Sequence, residues 1–160
     1  MLNYIQKDLT TVESGIIVHG CNCMGAMGSG VALAIRNKWP IVYEKYKKCH
    51  EAWKPRTDLL LGTILPVEID DKLIVINLFS QVYYGKDGRK YASPEAIGTG
   101  LLSVVDIVRL YKKRHGTDYH VYLPRIGCNL GGLDWYKDVC PIVEEIDRLA
   151  QDITFYVCDL

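Results

Sequence analysis

The chain has 160 residues, 49% hydrophobic and 24% charged, with 19 basic residues balanced by 19 acidic ones. That length suits one domain spanning residues 1–160 with a substantial core, and the neutral balance excludes a protein held to nucleic acid by bulk charge. No apolar run is long enough to span a bilayer, and MLNYIQKDLTT at the start has neither the charged nor the apolar region of a secretory leader. The expected setting is therefore cytoplasmic, where the six cysteines stay reduced and build no disulfide framework.

In chain order, Asn3 to Ile5 reads as a short first strand and Gly15 to Cys21 as a buried one. A helix follows from Ser29 to Trp39, stopped by Pro40, and a second from Ile41 to Trp53, broken at Lys54-Pro55-Arg56. Gly62 to Ile69 and Lys72 to Phe79 read as strands joined tightly at Asp70-Asp71. Pro94 opens a long helix to about Arg114, with Ile97, Leu101, Val104, Val105, Val108 and Tyr111 at helical spacing. Tyr119 to Leu123 is a strand, Trp135 to Ala150 a helix, and Ile153 to Val157 a last strand. The basic clusters Arg36, Lys38, Lys45, Lys47, Lys48, Lys54, Arg56 and Arg109, Lys112, Lys113, Arg114 read as solvated helix faces. Ile16–Val18 and Ile74–Ile76 are apolar throughout rather than alternating, so helices should cover both faces of the sheet.

Two strand-to-helix connections are rich in glycine. The first, HGCNCMGAMGSG from His19 to Gly30, places Gly28, Ser29, Gly30 and Val31 at the start of a helix, where unpaired N–H groups suit an anion. Its spacing fits neither a P-loop nor a dinucleotide fingerprint, and a tight turn without a ligand is the plain alternative. The second, PRIGCNLGGLD from Pro124 to Asp134, brings Ile126, Gly127, Cys128, Asn129, Leu130 and Gly131. Together the two could hold the phosphates of a diphosphate through backbone donors alone. In open α/β sheets ligands sit at the carboxyl ends of strands. Loops 19–30, 80–93 and 124–134 would outline one cleft if they converge.

Among reactive side chains, His19 is either a proton-transfer group near neutral pH or a core histidine. Asn22 either orients a sugar hydroxyl or ties its loop. Asp8 either accepts from a base amino group or caps a turn with Thr10 and Thr11, and Asp134 reads as an N-cap. His19, Cys21 and Cys23 alternate, with Cys49-His50 further on, but one C-x-C lacks the spacing of a zinc site, and no metal is expected. Cys21 and Cys128 lie in the right loops for a nucleophile, yet read better as small buried residues.

These residues resemble a macro domain over nearly the whole chain, above all the ADP-ribose 1″-phosphate phosphatase branch. The resemblance rests on Ile17-Val18-His19-Gly20-Cys21-Asn22-Cys23, Gly25, Gly28-Ser29-Gly30-Val31-Ala32, Trp39-Pro40, Tyr46 and Cys49. Pro124-Arg125-Ile126-Gly127-Cys128 and Trp135 also look like the related hydrolases that remove ADP-ribose from acidic side chains. The resemblance implies a three-layer α/β/α fold around a mixed, mostly parallel sheet, binding ADP-ribose as a monomer with no cofactor and no membrane. Nucleic acid would enter only as an ADP-ribosylated substrate. By carry-over Asp8 and Leu9 meet adenine, Gly28 to Val31 and the loop from Gly127 to Gly132 hold the phosphates, Asn22 meets the distal ribose, and His19 is the proton-transfer candidate. The activity implied is hydrolysis of ADP-ribose 1″-phosphate; the alternatives are release of ADP-ribose from modified protein or nucleic acid, and ADP-ribose reading without turnover. Two departures stand out. No lysine follows Val75-Ile76-Asn77-Leu78-Phe79, and Gly131 occupies the position where one branch has an aspartate and the phosphatase branch an aromatic residue, for which Tyr83 or Tyr84 could substitute.

Overall fold

In the computed structural model, residues 2–160 are described. The elements run β1 (Asn3–Gln6), β2 (Gly15–Asn22), α1 (Gly30–Lys38), α2 (Pro40–Trp53), β3 (Ile64–Glu68), β4 (Leu73–Gln81), α3 (Pro94–His115), β5 (Val121–Leu123), α4 (Cys140–Leu149) and β6 (Phe155–Asp159). The strands form one sheet in the order β1-β6-β5-β2-β4-β3, parallel except for β3, which runs antiparallel to β4. The sheet is thus mixed and mostly parallel, as expected.

β2 lies inside the sheet and is covered on both faces, which is why its apolar residues do not alternate with polar ones. Ile16 and Val18 join Ile74, Ile76 and Leu78 of β4 beneath α3 and α4, where Ile97, Leu101, Val143 and Ile146 complete the larger core. Ile17 and Val75 turn the other way, onto Ile35 of α1 and Val42 of α2. A smaller cluster of Cys21, Cys23, Met27, Tyr46, Leu60 and Phe79 lies toward the strand ends and supports the first glycine loop. Asp70 makes the β3–β4 turn, its Oδ1 accepting from the N–H groups of Lys72 (2.8 Å) and Leu73 (2.9 Å). Among the described residues no helix is long and apolar enough to cross a membrane.

One expected element divides. The helix read from Trp135 to Ala150 is a π-helical turn, Trp135–Val139, followed by α4. Pro141 is the cause: it offers no N–H and its ring would clash with the carbonyl of Lys137, so a regular α-helix cannot run through both. Asp134 caps the π turn as read, its Oδ1 accepting from Lys137 N–H at 2.8 Å.

α3 approaches β4 closely because Gly100 has no side chain; a Cβ there would stand 2.5 Å from Leu78 Cγ. Gly100→Val should therefore cost about 2–3 kcal/mol through overpacking. The check is a lower urea midpoint with unchanged slope; an unchanged midpoint would show that the helix can lift off the sheet without loss.

Candidate functional site

Loops 19–30, 80–93 and 124–134 do converge. All follow parallel strands, and residues from each line a single cleft of about 530 Å³ at the carboxyl edge of the sheet. Gly28, Ser29, Gly30, Val31 and Ala32 form one wall, at the N-terminus of α1. The N–H groups of Gly30, Val31 and Ala32 have no partner among the described residues, as the first turn of a helix requires, and the Ser29 side chain does not cap them. Gly30 reaches this geometry with φ of 60°, in the left-handed region.

The facing wall is the second glycine loop. Gly127 and Gly132 have φ of 78° and 80°, and Leu133 N–H closes the loop onto Gly127 O at 2.9 Å. The N–H groups of Asn129, Leu130 and Gly131 are left without a partner among the described residues. No side chain fits at Gly131, where a Cβ would lie 2.6 Å from Gly127 O. Loop 80–93 is tied to this wall: Tyr91 and Ala92 N–H both donate to Gly131 O, at 2.9 and 3.0 Å. It contributes Ser80, Gln81, Tyr84, Gly85 and Lys86 to the cleft. Of the aromatic substitutes weighed above, Tyr84 lines the cleft and Tyr83 does not.

Asn22 also lines the cleft, 9% exposed. Its Oδ1 accepts from Met24 N–H (2.9 Å), Ala26 N–H (3.3 Å) and Tyr46 OH (2.8 Å), and its Nδ2 donates to Ala26 O (2.8 Å). The side chain therefore ties the first loop together and keeps one Nδ2 hydrogen free. Arg125 lines the cleft as well, but its guanidinium forms a bidentate pair with Asp159 at 2.9 and 3.1 Å.

Of the residues expected to meet the ligand, Asp8, Leu9, His19, Cys128 and Gly132 do not line the cleft. His19 requires a correction. It is fully buried, because strand alternation turns it onto the α1–α2 face with Ile17, where its Nε2 meets Asn77 Oδ1 at 2.5 Å. Burial lowers its pKa to about 4, only partly offset by Asn77, so at neutral pH it is an uncharged core group rather than a proton-transfer group. Its Nδ1 and the Asn77 Nδ2 have no hydrogen-bond partner among the described residues. The Cys128 thiol turns inward, donating to Ile126 O at 3.3 Å, and burial raises its pKa to about 11. Burial likewise raises the Cys21 thiol well above its ordinary value. Asp8 caps the turn Leu9–Thr11, with Oδ1 accepting from Thr10 N–H (2.9 Å) and Thr10 Oγ1 (2.8 Å); Leu9 is a core residue. Asp8 stands at the end of β1, on the same sheet edge as the cleft but at its far side. Among the described residues no group of three or more His, Cys, Asp or Glu is placed to hold a metal ion.

Sequence reading missed Ser80, Gln81, Gly85, Lys86 and Arg125 as individual lining residues. The polar loop 80–93 carried the only signal for most of them, and it did not say which side chains turn inward.

An open, mostly parallel sheet whose strand-end glycine loops enclose an amide-lined cleft defines an α/β domain with its cleft at the carboxyl edge of the strands. The chain belongs to the macro domain family, whose model matches residues 18–142. An ADP-ribose 1″-phosphate phosphatase from Candida albicans is 29% identical over 161 residues, covering 93% of this chain and 96% of its own. A DNA ADP-ribosyl glycohydrolase from Mycobacterium tuberculosis is 24% identical over 138 residues; the match takes in 84% of this chain but only 36% of that relative's length. The solved structure of a macrodomain protein from Streptomyces coelicolor superposes with a TM-score of 0.79 at 28% identity, over 100% of this chain and 99% of that one.

The buried His19 sets a pH dependence of stability. Its pKa is about 4 folded against 6.5 in a free chain, so between those values the unfolded chain takes up a proton that the folded one refuses. Stability should fall as pH drops from 6.5 to 4, by at most about 3 kcal/mol. His50, also lowered chiefly by burial, adds in the same direction. Replacing both polar partners, as His19→Leu with Asn77→Leu, leaves no orphaned group. The loss of denaturant midpoint across this window should then shrink; an undiminished loss would assign the acid sensitivity to other groups.

Proposed function

We propose that this macro domain binds ADP-ribose and removes the terminal phosphate of ADP-ribose 1″-phosphate, giving ADP-ribose and inorganic phosphate. The observation that carries the reading is the facing pair of unpartnered backbone donors, Gly30–Ala32 on one wall and Asn129–Gly131 on the other, across a cleft lined by no carboxylate. Such donors receive a pyrophosphate without a high net charge on the protein. In this reading Gly28, Ser29, Gly30 and Val31 take one phosphate, and the loop from Ile126 to Gly131 closes over the other. Asp8 Oδ2, which has no hydrogen-bond partner among the described residues, accepts from the adenine amino group, with the Leu9 backbone beside it. The free Nδ2 hydrogen of Asn22 meets a hydroxyl of the distal ribose.

In the chemical step a water oxygen attacks phosphorus and the bond from phosphorus to the 1″ oxygen breaks. One water proton ends on that oxygen and the other stays on the phosphate. Phosphoryl transfer depends more on positioning and charge stabilisation than on a strong base, which suits a cleft lined by no imidazole and no carboxylate. Relatives named as a phosphatase and as a glycohydrolase support a hydrolase in general. The lysine and aspartate of the related glycohydrolases have no counterpart at the end of Val75-Ile76-Asn77-Leu78-Phe79 or at Gly131, so that branch's mechanism does not carry over, and the aromatic residue of the phosphatase branch is likewise replaced by Gly131.

Calorimetry with ADP-ribose, followed by a phosphate-release assay on ADP-ribose 1″-phosphate, tests both halves. Binding with phosphate release is the expected result. Binding with ADP-ribose released instead from modified DNA or protein would replace the proposed substrate, and binding without any turnover would make the domain a reader.

Gly28 offers a second test, since a Cβ there would meet nothing within 4 Å of it in the protein, on the cleft wall. Gly28→Val should leave the melting temperature nearly unchanged while weakening ADP-ribose binding at least ~10-fold by crowding the ligand. Undiminished affinity would remove this wall from the binding site.

A further inference from the structure

Two cations line the cleft, and they differ. Arg125 is neutralised by its bidentate pair with Asp159. Lys86 has no hydrogen bond or ion pair among the described residues, so of the two cations it is the uncommitted one. Its loop is held in place rather than hanging free. Ser93 N–H donates to Ser80 O at 2.8 Å across the base, and Tyr91 and Ala92 bind Gly131 O. Tyr91 OH donates to Asp87 Oδ1 at 2.8 Å, and the Tyr91 hydroxyl backs so closely on Gly85 that a Cβ would collide with it. The neighbouring acid is therefore engaged elsewhere, by Tyr91 and by Arg89 at 3.2 Å.

Strand order says which end of the ligand Lys86 faces. Along the carboxyl edge the order runs from β1, with Asp8, through β6, β5 and β2 to β4, from which the loop carrying Lys86 departs. With adenine at Asp8 and the pyrophosphate between the β2 and β5 loops, the distal ribose and its 1″ substituent fall on the β4 side.

We infer that Lys86 is the specificity-determining cation of the site: it receives the phosphate on the 1″ position and so separates ADP-ribose 1″-phosphate from ADP-ribose. This rests on the ADP-ribose reading given above. The backbone donors recognise what the two ligands share, and only the terminal phosphate dianion needs a mobile point charge, which a lysine ammonium supplies.

The test compares wild type, Lys86→Gln, Lys86→Arg and Arg89→Gln, the last removing a 78% exposed charge from the same loop. Affinities for ADP-ribose and for ADP-ribose 1″-phosphate are read by initial displacement of a fluorescent ADP-ribose analogue, before turnover. Lys86→Gln should weaken the 1″-phosphate ligand at least ~10-fold, the usual size of a charge-assisted bond, and leave ADP-ribose nearly unchanged. Lys86→Arg should retain most of the preference, and Arg89→Gln all of it. Equal loss for both ligands, loss for neither, or an equal effect from Arg89→Gln would overturn the assignment. Should wild type fail to hold ADP-ribose itself, the binding reading falls first, a result distinct from any of these.

Discussion

Parallel pairing of β2 with β4 on one side and β5 on the other is the constraint on which the site depends. Because the three strands run the same way, the loops that leave them all emerge at one edge. Neither glycine loop is a site alone. β2 is buried on both faces, so its register is held by residues packed above and below it: Ile16 matched to Ile74, Ile17 to Val75 and Val18 to Ile76. A one-residue slip would exchange every one of these side chains between two cores. Cleft geometry is in that sense a consequence of core packing.

The walls of the cleft are joined to each other by backbone rather than by side chains. Gly131 O receives both Tyr91 and Ala92, and Gly132 approaches the backbone of Arg89 so closely that a Cβ there would collide with it. Glycine at these positions serves close contact between loops, which in turn leaves Asn129, Leu130 and Gly131 N–H without an acceptor among the described residues. Asn22 does the corresponding work on the other wall, tying Met24 and Ala26 to the end of β2 with Tyr46 beneath. On the proposed reading, a site built from oriented amides lets a chain of zero net charge receive a pyrophosphate.

The legible parts of the fold were those governed by local rules. Unbroken apolar runs at Ile16–Val18 and Ile74–Ile76 announced a sheet covered on both sides; Pro94 announced the start of α3, and the structure adds a cap there, with Ser93 Oγ accepting from Ala96 N–H at 3.1 Å. Asp134 was read as a cap and is one. The π turn was less legible, because periodicity averages over a single displaced turn. His19 shows the sharper limit. Its type and its place beside a glycine loop suited either a proton-transfer group or a core histidine, and only the direction of one strand residue, inward toward Asn77, decided between them.

By itself the sequence determined the alternation of strands and helices, the two glycine turns and their helix starts, and the family to which they belong, because each follows from short-range backbone preferences or from contiguous residues. Tertiary structure decided the rest: that three loops far apart in the chain meet at one edge, that Arg125 is neutralised by Asp159 while Lys86 is not, and that His19 is sealed in the core. Those outcomes depend on strand order and on which face a side chain takes, and no local pattern encodes either.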